Sequence, residues 1–333
     1  MTSLPQAAPA KAKPPVGVVI VNHNQKASLR ETLQSVRKVN YPSVRVVVSD
    51  NASSDGAPEM VRQEFPEVHL LAHEEEQGYA RAASLGMASL LDNVKYIFST
   101  TNDVILDPEI LNVLVDYAES HPEAGVLGTK ILFFDRPDVI WHAGGRIHPL
   151  HGHSRHFGWN RRDHPRYNRV RDCDFVTGCG FLLRCETLKK SGFFKEELVF
   201  YSEDADLCYR IRESGYRVVY VPAARMWHKV GATLAKNRPL QLRYSTRNSL
   251  YLIQRHRLGW YPLSLWVNLW AVNPFKMLVF ALMLHGRNSV GIWQGIMDWR
   301  QGRFGWLNEP ARPRTLAPQI SGAEVRSATK PPR

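Results

Sequence analysis

Residues 16–21 read VGVVIV and residues 44–48 read VRVVV. Continuous apolar runs rich in β-branched residues are expected of strands buried on both faces of a parallel sheet; strands with one face in water alternate instead. Between the two runs, Ser28 and Glu31 have capping-box spacing, and Leu29, Leu33 and Val36 recur at helical intervals until Tyr41-Pro42 ends the element. A third strand is expected over Val68–Ala72, a helix over Tyr79–Leu91 and a fourth strand over Lys95–Ser99. This β-α-β-α order predicts an α/β fold: a Rossmann-like, doubly wound, mostly parallel sheet whose ligands bind beyond the carboxyl ends of its strands.

That rule turns strand ends into a site. The residues that follow the strands are Asn22-His23-Asn24, then Asp50-Asn51 within DNASSDG (50–56), then Thr100-Thr101-Asn102-Asp103. Asp50 can accept hydrogen bonds from a base or ribose, and Asp103 is a hard oxygen ligand for Mg²⁺ or Mn²⁺. DNASSDG also reads as a polar turn with an Asx cap. Asp107-Pro108-Glu109 reads as a helix start and is given no chemistry. No GxGxxG follows the first strand and no GxxxxGK[ST] occurs, so hydride transfer and ATP hydrolysis lose support.

Further along, residues 200–208, FYSEDADLC, place Glu203, Asp204 and Asp206 among apolar neighbours. A carboxylate so placed can act as a general base, yet acidic residues also complement a helix dipole in its first turn; this window leaves both readings open. FVTGCGFLLR (175–184) is expected to be a strand, with Gly178 and Gly180 allowing close approach. In Trp227-His228 the imidazole could bind a metal or simply be packed and hydrogen-bonded. Residues 142–171 hold six of the 13 histidines and seven arginines with little periodicity, which predicts a long loop suited to diphosphate recognition. A metal site at His151 and His153 lacks a carboxylate or cysteine at ligand spacing.

The 333 residues carry a formal net charge of +12 with 44% hydrophobic and 22% charged residues, enough for a sizeable core and suited to an anionic partner. Cys173, Cys179, Cys185 and Cys208 show no CxxC spacing, so reduced thiols and a cytoplasmic setting are expected. Residues 1–15 and the basic, Pro-rich residues 307–333 read as disordered tails. The apolar stretch 258–284 is interrupted by Pro262, Asn268, Asn273, Pro274 and Lys276. It predicts two short interfacial helices anchored by Trp260, Trp266 and Trp270, with a buried helical hairpin as the alternative.

Taken in order, VVIVNHNQ, DNASSDG, EQGYARAASLG, TTNDVILDP, KILFFDRPDVIWHAGG, FVTGCGFLLR, FYSEDADLCYRIRESGYRVVYVP, MWHK and YSTRNSLYLIQRH resemble bacterial glycosyltransferase family 2, especially its rhamnosyltransferase-like members, over roughly residues 16–305. The resemblance implies a GT-A fold: a catalytic domain over 16–240, with a nucleotide half to about 105 and an acceptor half beyond, then a helical membrane-associating segment over 241–306. It implies inverting transfer from a nucleotide diphosphate sugar, with Mg²⁺ or Mn²⁺, to a lipid-linked or glycan acceptor at the inner face of the cell membrane. Rhamnose from dTDP-rhamnose is the expected donor, with a UDP sugar as the alternative.

By the same resemblance Asn22, Asn24, Asp50, Asn51, Gly78, Arg81 and Asn102 serve the nucleotide, and Asp103 and His228 the metal. Asp204 is the base beside Glu203, and Arg247 and Trp227 meet acceptor or phosphate. Asp206 is left as a helix cap. GIWQGIMDWRQGRFGW (291–306) resembles an amphipathic membrane segment with Ile292, Ile296 and Trp299 toward lipid and Arg300 and Arg303 toward headgroups. The chain departs from the family at Gln77 and Ser84, where Asn is common, and at Thr101-Asn102-Asp103, which keeps a single carboxylate. A sugar-phosphate nucleotidyltransferase lacks support because its glycine-rich basic loop is missing. A nucleic-acid partner is not expected, since the charge comes without a binding motif.

Overall fold

A computed structural model describes residues 12–151, 153–230 and 237–307. The elements in chain order are β1 (Val16–Asn22), α1 (Lys26–Val36), β2 (Val44–Asp50), α2 (Ala57–Glu64), β3 (His69–Ala72), α3 (Tyr79–Leu90), β4 (Tyr96–Thr101), β5 (Val104–Leu106), α4 (Ile110–Ser120) and β6 (Ala124–Phe133). They continue with β7 (Val139–His142), β8 (Gly145–Ile147), β9 (Ser154–His156), β10 (Arg161–Arg162), β11 (Arg171–Asp172), β12 (Gly180–Arg184), α5 (Cys185–Ser191), α6 (Glu203–Glu213) and β13 (Arg217–His228). Helices α7 (Arg238–Arg255), α8 (Leu263–Val267), α9 (Asn273–Leu282) and α10 (Gly286–Arg300) complete the described chain.

The expected parallel core is present as β3-β2-β1-β4, and β12 then runs antiparallel between β4 and β6. Both faces of the sheet are buried, which is why β1 reads as an unbroken apolar run. A Cβ on Gly86 of α3 would stand 2.6 Å from Val19 Cγ1, so glycine lets α3 settle closely on β1. Beyond β6 the sheet is mixed. β13 runs parallel to β6 with a register break between Val221 and Arg225, after which its last residues pair with β5. That break re-aims the strand and sets His228 opposite Val104, one residue past Asp103.

Several local expectations change. Helix α1 begins at Lys26, whose amide donates to Asp55 Oδ2 at 2.7 Å, so a distant side chain starts the helix and Ser28 lies inside it. Of FVTGCGFLLR only Gly180–Arg184 is strand; Gly178–Cys179 turn instead, which frees the Gly178 amide for the site. The basic stretch 142–171 is not featureless, since it holds the β8–β9 hairpin and β10 at the edge of the main sheet. Most of the expected tails, 1–11 and 308–333, lies outside the described residues. Pro14 and Pro15 are tied down, their carbonyls accepting from the Tyr41 hydroxyl at 2.7 Å and the Lys95 amide at 3.0 Å.

The C-terminal helices divide into two kinds. Helix α10 packs on α7: added Cβ atoms at Gly291 and Gly295 would lie 2.3 and 2.5 Å from the Pro239 and Arg243 carbonyl oxygens. Ile292 is buried in this contact, and Asp298, fully buried, binds Arg243 at 2.6 Å and Arg303 at 2.7 Å. The expected lipid-facing arrangement therefore fails at Ile292, because the glycine stripe turns that side of α10 toward protein; Arg303 stays exposed while it pairs with Asp298. By contrast, residues Leu263–Leu282 form one continuous helical run through a π-helical turn at Asn268–Val272. This run is long and apolar enough to cross a membrane, and its most apolar 18-residue window is only 11% buried, so it is neither two separate helices nor a core hairpin.

Candidate active site

A cavity of about 720 Å³ opens beyond the carboxyl ends of β1 and β4, where the parallel sheet predicts a ligand. Asn51, Asn102, Asp103, Glu203, Asp204 and His228 line it, together with Thr177, Gly178 and the aromatic residues Tyr79, Trp141, Phe200 and Trp306.

The strand ends meet in one bonded network. Asn22 donates through Nδ2 to Asp50 Oδ2 at 2.7 Å and to Ser53 Oγ at 3.1 Å, while Asn102 Nδ2 donates to Asn22 Oδ1 at 2.5 Å. The second Asp50 oxygen accepts from the Ser53 amide at 2.9 Å. Asn51 Oδ1 accepts from the Gln77 amide at 2.6 Å, and Asn24 Oδ1 from the Ser54 amide at 2.8 Å. Asn22 and Asp50 are buried behind the cavity wall, where they fix the ends of three strands; Asn51 and Asn102 are the members of the network that reach the cavity.

Asp103 and His228 come together across 125 residues of sequence, with His228 Nε2 3.1 Å from Asp103 Oδ1. Thr101 Oγ1 donates to the same oxygen at 2.7 Å, and the Trp141 ring stands edge-on to His228 at 4.7 Å. His228 Nδ1 is buried with no hydrogen-bond partner among the described residues. Among the described residues no group of three or more His, Cys, Asp or Glu side chains could hold a metal, which includes the region of His151 and His153. His153 instead lies 3.0 Å from Lys276 Nζ. A carboxylate paired with an imidazole nevertheless suits Mn²⁺ as a partial site, because such ions keep open positions for water and substrate phosphate oxygens.

The acidic triplet divides into separate roles. Asp204 Oδ2 accepts from the Gly178 amide at 3.1 Å and Oδ1 from the Ala205 amide at 2.7 Å. Burial raises the Asp204 pKa against the pull of these amides, and burial followed by the nearby Asp204 charge pushes Glu203 well above the usual carboxylate range. Glu203 Oε2 has no hydrogen-bond partner among the described residues. Two adjacent buried carboxylates do not ionise together, and the backbone donors make Asp204 the charged member and Glu203 the protonated one.

Asp206 is not a cap. Its side chain is fully buried, held by Arg210 Nε at 2.7 Å and His256 Nε2 at 2.9 Å, so α6 is locked to α7. Burial would raise its pKa, but His256 and Arg210 outweigh that and hold it low.

Four other expected site residues lie outside the cavity lining. Gly78 precedes α3 at φ +77°, and a Cβ there would meet Val199 Cγ1 at 3.0 Å and the Trp306 ring at 3.3 Å; it joins the two halves by close packing. Arg81 pairs with Glu196 at 2.7 Å, and Trp227 packs on the core. Arg247 is completely buried, its guanidinium on main-chain carbonyls, so it faces neither solvent nor the cavity. Of the departures from the family pattern, Ser84 is buried and donates to the Ala80 carbonyl at 2.7 Å. Tyr79, Thr177 and Trp306 were missed by sequence reasoning; the mixed glycine and aromatic composition of GRFGW (302–306) was the one available signal for the last.

Fold and cavity together define a glycosyltransferase of the GT-A type. Residues 14–246 match the family described as Glycosyltransferase like family 2, and the chain belongs to that family. It is 27% identical over 267 residues to an N-acetylglucosaminyl-diphospho-decaprenol L-rhamnosyltransferase of Mycobacterium tuberculosis, covering 73% of this chain and 85% of that protein. A poly-beta-1,6-N-acetyl-D-glucosamine synthase of Staphylococcus epidermidis is 19% identical, covering 66% of this chain and 51% of the synthase. Among solved structures, a Pyrobaculum calidifontis mannosyltransferase in complex with GDP-Man and Mn²⁺ superposes with a TM-score of 0.58 at 17% identity, covering 87% of this chain and 88% of that one.

Proposed function

We propose that this glycosyltransferase inverts the anomeric centre as it moves a sugar, rhamnose from dTDP-rhamnose, to a lipid-linked or polysaccharide acceptor in cell-envelope glycan synthesis. The single observation that carries the reading is the shared cavity. It places an amide-held carboxylate, Asp204, in the same space as the Asp103–His228 pair and the strand-end asparagines.

In this reading the acceptor hydroxyl lies against Asp204, which takes its proton as the oxygen bonds to the anomeric carbon and the nucleoside diphosphate leaves with the bonding pair. Gly178 and Ala205 fix the Asp204 carboxylate, and protonated Glu203 spares it a second adjacent charge. Asn51 and Asn102 orient the donor nucleotide, with Asn22 and Asp50 holding the strand ends beneath them. A divalent cation held by Asp103 and His228 would offset charge on the departing diphosphate oxygens. The similarity to a rhamnosyltransferase supports the sugar; a UDP donor is the alternative to exclude.

The exposed Trp266, Trp270, Phe275, Leu278 and Leu282 support docking of the Leu263–Leu282 helix on the inner face of the cell membrane, within reach of a lipid-linked acceptor. A thermal-shift panel of dTDP-, UDP- and GDP-sugars with Mn²⁺ or Mg²⁺ tests the donor. Stabilisation by dTDP-rhamnose above the others, with release of dTDP only when a polyprenyl-diphosphate-linked sugar is added, is the expected result. Stabilisation by UDP-sugars alone rules out the donor assignment. Transfer that persists at full rate in chelator rules out the metal.

A further inference from the structure

We propose that Arg247 and Asn248 are positioning residues for sugar transfer: from α7 they hold the turn before α6 in the shape that aims Asp204 into the cavity. The proposal rests on the reading of Asp204 as the base.

The turn is strained. Val199, Tyr201 and Ser202 have φ values of 61°, 66° and 71°, in a region that residues with a Cβ rarely occupy and keep only when their surroundings enforce it. What enforces it comes from about 50 residues away. Asn248 Nδ2 lies 2.9 Å from the Leu198 carbonyl oxygen and 2.8 Å from those of Phe200 and Tyr201. Arg247 donates through Nε to Asn248 Oδ1 at 2.8 Å and through one terminal nitrogen to the Glu197 and Leu198 carbonyls at 3.3 and 3.2 Å. Its other terminal nitrogen reaches the Gly305 carbonyl at 3.0 Å.

Both side chains are fully buried. Among the described residues Arg247 has no carboxylate at ion-pair distance, and burial lowers its pKa to about 10. A buried guanidinium spent on main-chain carbonyls and one amide side chain, with no carboxylate beside it among the described residues, is a costly arrangement. Its result is that the chain leaves Ser202 directly into the first turn of α6, where Asp204 meets the Gly178 amide. The same clamp joins the segment after α10, since the Gly305 amide donates to the Glu197 carbonyl at 2.8 Å and Trp306 stands edge-on to Phe200 at 5.6 Å while lining the cavity.

The test uses the full chain and compares Asn248→Asp, Asn248→Ser and Asp204→Asn. Asn248→Asp keeps the shape but replaces the donor with a carboxylate facing three carbonyl oxygens. Asn248→Ser keeps one donor and is gentler on folding. For each, kcat is measured as dTDP release from dTDP-rhamnose with a polyprenyl-diphosphate-linked sugar, alongside dTDP affinity by calorimetry and the melting temperature.

A base displaced by about 1 Å predicts a kcat loss of roughly 100-fold in Asn248→Asp, with dTDP affinity unchanged. Asn248→Ser should give a smaller loss in the same direction. Wild-type kcat in Asn248→Ser with a lowered melting temperature, or parallel loss of kcat and dTDP affinity, overturns the proposal and leaves the pair as structural support. Full turnover in Asp204→Asn instead overturns the assignment of the base, so the two failures are separable.

Discussion

The proposed donor side and the proposed base side of the cavity are built on opposite plans. On the donor side, Asn22, Asp50, Ser53 and Asn102 satisfy one another at the ends of adjacent parallel strands. On the base side, Glu203 leaves a buried oxygen unpartnered, the preceding turn holds three non-glycine residues at positive φ, and its restraints come from α7. A satisfied network presents a fixed surface to a ligand that must bind and leave. A strained, desolvated carboxylate suits a group that must change its protonation during the reaction. In the proposed reading, binding and proton transfer fall to separable parts of one cavity.

The sharpest way to break that separation is Asp204→Asn, which should lower kcat by roughly 10²–10⁴-fold with nucleotide affinity preserved, as read by turnover and calorimetry on the same sample. Loss of nucleotide binding in this variant would merge the two sides. Next in size, Asp206→Ala removes the counter-charge of Arg210 and the hydrogen-bond partner of His256, and should cost about 3–5 kcal/mol of stability in denaturant unfolding, because it leaves a buried guanidinium unpaired. Asp50→Ala is the mirror of the first experiment. Stranding the Asn22 and Ser53 donors, it should weaken nucleotide binding by about 1–3 kcal/mol while kcat at saturating donor changes little.

The smallest effect is one of pH. Burial raises the Asp204 pKa, so kcat should fall on acidification at a pH above the range where an ordinary carboxylate protonates. Stability responds with two signs. Glu203 and Asp204, with raised folded values, favour the fold more as pH drops toward them. Asp206, held low, stabilises above the ordinary aspartate range and loses that contribution as pH falls through its lowered folded value. An acid limb of kcat lying where a free aspartate titrates would show that Asp204 is not desolvated as its burial implies.

Legibility in the sequence follows the same division. VGVVIV, VRVVV and the polar residues after them located the parallel sheet and its crevice, because burial on both faces of a sheet leaves a continuous apolar run and the strand-end rule does the rest. Asp107 accepts through its side chain from the Glu109 amide at 2.9 Å, but α4 begins at Ile110, two positions later than the Asp-Pro-Glu pattern placed it. The α1 start was misread because its first amide is bonded to Asp55, beyond any local capping pattern. Arg247 and Asp206 were misread for a related reason: a basic residue on a helix or an acid in a first turn looks the same in sequence whether it faces water or a partner 50 residues away.

By itself, then, the sequence determined the sheet, the cavity's place at its carboxyl edge, the family and the candidate carboxylates, since periodicity and strand-end chemistry are local. Only the tertiary structure decided which carboxylate is amide-held, that Asp206 locks α6 to α7, and that Arg247 and Asn248 hold the turn behind the proposed base. Burial and main-chain hydrogen bonds between distant segments set pKa and backbone strain, and neither leaves a local pattern in the chain.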